Sequence, residues 1–239
     1  PAATAGVQGT VLLLDDCFTN FNTPSVGQAA VALLEASGYR VELAGLKCCG
    51  RPAMSKGLLD VARSLAAENV QKLKPRAQAG VPILGLEPSC LTTLIDEYLD
   101  LRLGDDAKLV ASQSRMIDAF LAEAPSFAPR PSSSAVLLHG HCQQKALLGT
   151  EATMKVLSRV PGLEVTLLDS GCCGMAGSFG YESGHYDLST ALANRVLLPA
   201  ARARPDAVLL APGFSCRSQV RDLSDIQALH PVEFLARQL

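Results

Sequence analysis

Eight cysteines, Cys17, Cys48, Cys49, Cys90, Cys142, Cys172, Cys173 and Cys216, are the side chains of this sequence best equipped for chemistry. Without a secretion signal they do not read as a disulfide framework, because reducing compartments keep thiols free. Metal binding, redox chemistry and burial as small apolar groups remain, and position decides among them. The cysteines form two sets of one pattern: a single Cys, an adjacent pair, a single Cys. Corresponding members lie 125, 124, 124 and 126 positions apart, a regularity that points to duplication. The repeat extends to Gly50 and Gly174, which follow the pairs, and to Ser89 and Ser215, which precede the last cysteine of each set.

Thiolates are soft ligands and select zinc, copper(I) or iron-sulfur clusters. The short Cys-x2-Cys knuckle common in structural zinc sites does not occur here. Two adjacent cysteines reach one small ion with difficulty, whereas a multi-iron cluster offers separate iron atoms to neighbouring thiolates. Clusters are the expectation and zinc in one half is the competitor. Gly171, Gly174, Gly177 and Gly180 bracket the second pair and open a helix, so peptide N–H groups can approach sulfur there, or they simply make a tight turn. Their spacing is not Gly-x-Gly-x-x-Gly, which argues against a dinucleotide site. His139 and His141 stand beside Cys142 as candidate ligands or donors to cluster sulfur, against a structural reading in which each is hydrogen-bonded in place. Asp15 and Asp16 read as the start of a turn or helix, Lys56 and Arg217 as charges that offset thiolate-bound iron or simply face solvent, and His230 as the start of the last helix.

The elements that must carry these residues follow from the apolar pattern. Residues 10–14, 41–46, 82–86, 135–138, 165–168 and 207–210 are short aliphatic runs bounded by Gly, Pro or charge, and they read as buried strands. Helical periodicity lies between them, over 24–37, 58–74, 143–158 and about 187–203. Strand and helix alternate in each half, which predicts an α/β fold of two pseudo-symmetric repeats, each a small parallel sheet flanked by helices. Each cysteine position falls just past a strand end, where ligands of such sheets bind. The expected division is 1–124 and 135–239, with the Pro- and Ser-rich stretch 125–134 as linker.

Of the 239 residues, 48% are hydrophobic, enough for a substantial core, and the formal charge of −2 gives no basic surplus for nucleic acid. No apolar run reaches the length of a membrane span, and residues 1–9 lack the features of a signal peptide, so a soluble, cytoplasmic chain is expected.

The order Cys17, Cys48-Cys49-Gly50, Cys90, repeated as Cys142, Cys172-Cys173-Gly174, Cys216, resembles the cysteine-rich CCG domain family. That family includes the B-type component of heterodisulfide reductase and the iron-sulfur subunits of glycolate, lactate and anaerobic glycerol-3-phosphate oxidoreductases. The wording from Leu138 to Lys145 and from Gly171 to Tyr181 is most similar to the carboxyl-terminal part of fused FAD-linked D-2-hydroxy-acid dehydrogenases. The resemblance implies two iron-sulfur clusters on the eight cysteines, sensitive to loss in air, as [4Fe–4S] cubanes or, with another ligand, in a non-cubane form, with Gly50, Gly174, Ser89, Ser215 and His141 close to them. It implies an electron-transfer role beside a flavoprotein dehydrogenase domain or subunit that carries the FAD and oxidises the substrate, and beside a ferredoxin-like iron-sulfur segment. It is compatible with a cytoplasmic place or a peripheral one at the inner face of the membrane. One departure is clear: heterodisulfide reductase ends each half in Cys-x-x-Cys, but Glu87 and Gly213 stand where the first of those cysteines would be. Direct thiol or disulfide reduction, the alternative function, is put in doubt by that loss; a zinc-stabilised interaction module is the other alternative. Glu87 is either an oxygen ligand or the cap of the helix after Pro88.

Overall fold

The computed structural model describes residues 8–239, and the segment Pro1 to Val7 read above for a signal lies outside them. The chain divides between Phe127 and Ala128 into two compact units.

In the first unit, β1 (Gly9–Leu13), β2 (Tyr39–Leu43), β3 (Ile83–Gly85) and β4 (Ser114–Met116) form a wholly parallel sheet in the order β2-β1-β3-β4. In the second, β5 (Ala135–Leu138), β6 (Glu164–Leu167) and β7 (Val208–Leu210) form a parallel sheet in the order β6-β5-β7. The central strands are the apolar ones: Val11, Leu12 and Leu13 are buried in β1, and Val136, Leu137 and Leu138 in β5. Helices supply the crossovers and cover the strands, burying Ala66, Val70 and Leu73 in the first unit and Leu197, Leu198 and Val220 in the second. Two parallel sheets flanked by helices are therefore present, as the alternating pattern predicts.

The differences from expectation have local causes. β4 has no counterpart among the predicted strands: Ser-Arg-Met is too short and polar to read as one, and it pairs because β3 leaves an open edge beside it. The second unit fills the corresponding edge with a single bridge, Leu229 against Leu210. The predicted helix over 143–158 is two helices, Cys142–Leu147 and Glu151–Leu157, parted at Gly149 with φ 74°. The one over 187–203 is likewise two, Tyr186–Ala193 and Leu197–Ala203. The glycine-bracketed loop makes a short 3-10 turn at Phe179–Tyr181 rather than opening a helix directly.

Candidate metal centres

Three loops in each unit leave the carboxyl ends of the strands and carry the cysteines. In the first unit, Cys17 begins the helix Cys17–Phe21, which exists because Asp16 caps it: its carboxylate accepts from Phe18 N and Thr19 N at 3.0 Å. Asp15 ties this loop to the next, accepting from Gly45 N at 2.8 Å. Cys90 lies in the helix Pro88–Thr92, whose N-cap is Glu87, accepting from Ser89 N at 3.4 Å and from Ser89 Oγ at 2.8 Å. Glu87 therefore caps the helix, and Ser89 is engaged with it. The pair Cys48-Cys49 sits in the irregular segment before Gly50, whose φ of 87° turns the backbone and lets its N–H meet Cys48 Sγ at 3.5 Å.

That pair is clamped through its carbonyls. Asn69, on the helix Leu59–Gln78, donates to Cys48 O at 3.1 Å and to Tyr98 Oη at 3.2 Å, while Tyr98 donates to Cys49 O at 2.9 Å. Both side chains are buried. Sequence reasoning missed them; a buried-face Asn among Ala62, Ala66, Val70 and Leu73 was the available signal, since a polar group there needs a partner.

The thiols themselves meet in sequence. Cys17 lies within hydrogen-bonding reach of Cys48, Cys48 of its neighbour Cys49, and Cys49 Sγ is 3.5 Å from Cys90 Sγ. Burial, followed by Cys48, raises the Cys17 pKa. The hydrogen bond with Cys49, followed by burial, raises that of Cys48. For Cys90 the bond from Cys49 works downward, but burial and the charges of Asp16 and Glu87 leave the thiol raised.

The second unit repeats the frame. Cys142 begins the helix Cys142–Leu147 and Cys216 lies in the first turn of Phe214–Leu223. Gly174, φ 98°, presents its N–H to Cys172 Sγ at 3.3 Å, and Cys173 Sγ is 3.3 Å from Cys216 Sγ. Cys142 and Cys172 are hydrogen-bonded partners. Each half thus gathers its own four thiols, the juxtaposition expected from strand ends. Among the described residues, no three His, Cys, Asp or Glu side chains close on one point at the range of a single ion; the thiols meet in pairs along each quartet.

The surroundings differ. His139 is buried, with Nδ1 2.6 Å from Ser170 Oγ, and His141 is buried with its ring above Gly213, where an added Cβ would lie 2.3 Å from His141 Cδ2. Lys145 holds the chain before the cysteine pair through the carbonyls of Ser170 and Gly171. Ser215 donates to Gly177 O at 3.3 Å. Arg217 is turned away from any role as a free counter-charge: its guanidinium binds Ala211 O at 2.9 Å and Pro212 O at 2.6 Å. His230, as expected, caps the last helix, Pro231–Ala236. Here the Cys216 thiol is held below its ordinary range by its hydrogen bond with Cys173, then by His139 and His141. Cys172 is lowered too, by hydrogen bonds from Cys142 and Cys173, while those two donors are raised.

A thiolate-bound inorganic centre fits this donor set. Four soft ligands follow one another in contact in each unit and peptide N–H groups face sulfur. Two buried polar atoms beside the second quartet, His139 Nε2 and His141 Nδ1, have no hydrogen-bond partner among the described residues.

Comparison with known proteins agrees with the duplicated plan. The family model for the cysteine-rich domain, CCG, matches residues 11–95 and again 136–221. A subunit of the anaerobic glycerol-3-phosphate dehydrogenase of Escherichia coli (strain K12) is 29% identical over 243 residues, covering 100% of this chain. The D-2-hydroxyglutarate dehydrogenase of Pseudomonas putida is 30% identical over 227 residues and 94% of the chain. Lactate utilization protein A of Bacillus subtilis is 29% identical over 180 residues, covering 71% of the chain and 74% of its own length. The chain spans 61% of the glycerol-3-phosphate dehydrogenase subunit and 22% of the P. putida dehydrogenase.

Proposed function

This chain belongs to the cysteine-rich CCG domain family, with two copies of the domain, and we propose that it is the iron-sulfur electron-transfer part of a flavin-linked oxidoreductase acting on a 2-hydroxy acid of the lactate or glycolate type. The observation that carries this reading is the run of successive contacts among four thiols at the strand ends of each unit, Cys17, Cys48, Cys49 and Cys90 in one and Cys142, Cys172, Cys173 and Cys216 in the other. In this reading each quartet holds one [4Fe–4S] cluster, which when bound takes up and releases single electrons. The work of the chain's own residues is to hold the thiolates in place and to set how readily an electron is accepted. The Asn69 and Tyr98 clamp fixes the first cysteine pair, and Lys145 fixes the loop to the second. Gly50 and Gly174 give N–H donors to sulfur, which stabilise added negative charge. His141, buried beside the second quartet with Nδ1 unpartnered among the described residues, is available as a further donor there.

Substrate oxidation belongs in this scheme to a flavoprotein component carrying FAD, and a ferredoxin-like segment relays electrons between the two. The names of the relatives, dehydrogenases of D-2-hydroxyglutarate and glycerol-3-phosphate and a lactate utilization protein, support the oxidoreductase setting. No helix among the described residues is long and apolar enough to cross a membrane, which suits a cytoplasmic or peripheral place.

The test is anaerobic reconstitution with iron and sulfide, followed by metal and sulfide analysis. Two cubanes require about eight irons per chain and a broad visible absorption bleached by dithionite. One zinc per quartet in place of iron, with no bleachable chromophore, would replace this reading by that of a zinc-stabilised module.

A further inference from the structure

The two quartets share ligands and backbone, but not the side chains packed against them. Ser170 and His139 form a buried pair in the second unit. The corresponding positions of the first unit, at the same offsets as the cysteines, are Leu46 and Leu14, which line the cavity beside Cys17, Cys49 and Cys90. An apolar pair in one repeat is thus a hydrogen-bonded pair in the other. A buried histidine is costly unless its nitrogens are used. Nδ1 is used by Ser170, while Nε2 has no partner of ordinary geometry among the described residues. His139 N donates to Leu210 O at 2.8 Å, beside the strand end that leads into the Cys216 helix, and the imidazole is among the groups that lower the Cys216 thiol, so Nε2 is the nitrogen left to serve it. A thiolate only accepts, so a hydrogen bond between the two puts a proton on Nε2, with Nδ1 facing the Ser170 hydroxyl.

We infer that the Ser170–His139 pair donates a hydrogen bond to the Cys216 thiolate and makes the second unit's centre the more easily reduced of the two. This rests on the iron-sulfur reading above. A donor aimed at ligand sulfur offsets the negative charge that arrives with an electron, and so raises the reduction potential. The first unit has Leu14 in the place of that donor and sets the carboxylates of Asp16 and Glu87 around Cys90, which oppose added negative charge. Ser170 is a positioning residue, acting through the imidazole.

The test is a redox titration of the reconstituted 239-residue chain followed by electron paramagnetic resonance. Dithionite supplies one electron per cluster and ferricyanide removes it, with no bond made or broken in the protein. Two midpoints are expected, assigned by Cys49→Ser, which removes the first quartet's signal. His139→Leu, which installs the residue type of the first unit, moves the higher midpoint to lower potential and leaves the other in place. Ser170→Ala moves it the same way by a smaller step, and His139→Gln, which keeps a donor, restores part of the loss. If His139→Leu loses iron, Ser170→Ala decides by the same midpoint. Full iron content with midpoints that ignore both Ser170→Ala and His139→Leu overturns the inference alone, as does a second-unit midpoint below the first in the unaltered chain. A chain that takes up no iron overturns the iron-sulfur reading and the inference with it.

Discussion

Set side by side, the two cysteine sites are alike where they hold thiols and unlike where they touch them. Each has a Cys at a helix start, a Cys-Cys-Gly turn with its glycine N–H on sulfur, and a final Cys in sulfur contact with the second member of the pair. Around that frame the first unit places carboxylates, Asp16 and Glu87, and the second places imidazoles, His139 and His141. The exchanges are coupled in space. Asp16 corresponds to His141 and Glu87 to Gly213, and only a residue without a Cβ fits beneath the His141 ring. Where the first unit uses Glu87 as a cap, the second has a glycine with no side chain to cap the helix Phe214–Leu223. A duplicated site can therefore keep its ligands while its immediate neighbours change as interlocking pairs, and the electrostatic character of the two copies separates.

The comparison breaks most visibly if the quartets are not independent. Cys49→Ser should remove about four of about eight irons and leave the second unit's signal intact, and Cys173→Ser should do the reverse. Iron analysis that falls to zero in either variant would mean one shared centre. Thiol reactivity sharpens the contrast in the metal-free, reduced chain. Cys17 and Cys172 are both exposed, but the first has a raised pKa and the second a lowered one. Because the thiolate is the nucleophile, Cys172 should be alkylated by iodoacetamide at a rate nearly flat between about pH 6 and about pH 9. Cys17 should react slowly at neutral pH and about tenfold faster per pH unit until its raised pKa is reached. Peptide mapping by mass spectrometry distinguishes them, and equal rates near neutral pH would contradict the assigned difference.

Backbone substitutions give smaller effects. Gly174→Ala places a Cβ 2.9 Å from Ser189 Cα at a φ of 98°, whereas Gly50→Ala at φ 87° meets Ala62 O at 3.3 Å. Both are strained, at about 1–3 kcal/mol for a non-glycine held in this region, and the second-unit variant should lie at the upper end. Urea titration of the two variants orders them. Tyr98→Phe should cost about 1 kcal/mol, by removing the donor to Cys49 O. Urea titration of the variant measures that loss.

Much of this was legible in the residues and some was not. The aliphatic runs marked the central strands because parallel strands buried on both faces must be apolar throughout. The repeated cysteine offsets marked the two quartets, because equal spacing on the same strand order puts equal residues at the same rim. The place of Asp16 before Cys17 marks the start of a turn or helix, whereas that of Glu87 leaves an oxygen ligand and a helix cap equally open until the fold shows the cap. β4 escaped, because Ser114–Met116 pairs on account of a free edge elsewhere in the fold and not of its own pattern. The breaks near Gly149 and after Ala193 escaped because periodicity runs across them. The Asn69–Tyr98 clamp and the Ser170–His139 pair escaped for a deeper reason: their members are 29 and 31 residues apart and meet only once the sheet has formed.

The most direct measurement is anomalous diffraction at the iron edge from crystals of the anaerobically reconstituted chain. Two separate iron maxima are predicted, one inside the quartet of Cys17, Cys48, Cys49 and Cys90 and one inside that of Cys142, Cys172, Cys173 and Cys216. A single maximum, or iron lying away from either set of sulfurs, would contradict the account.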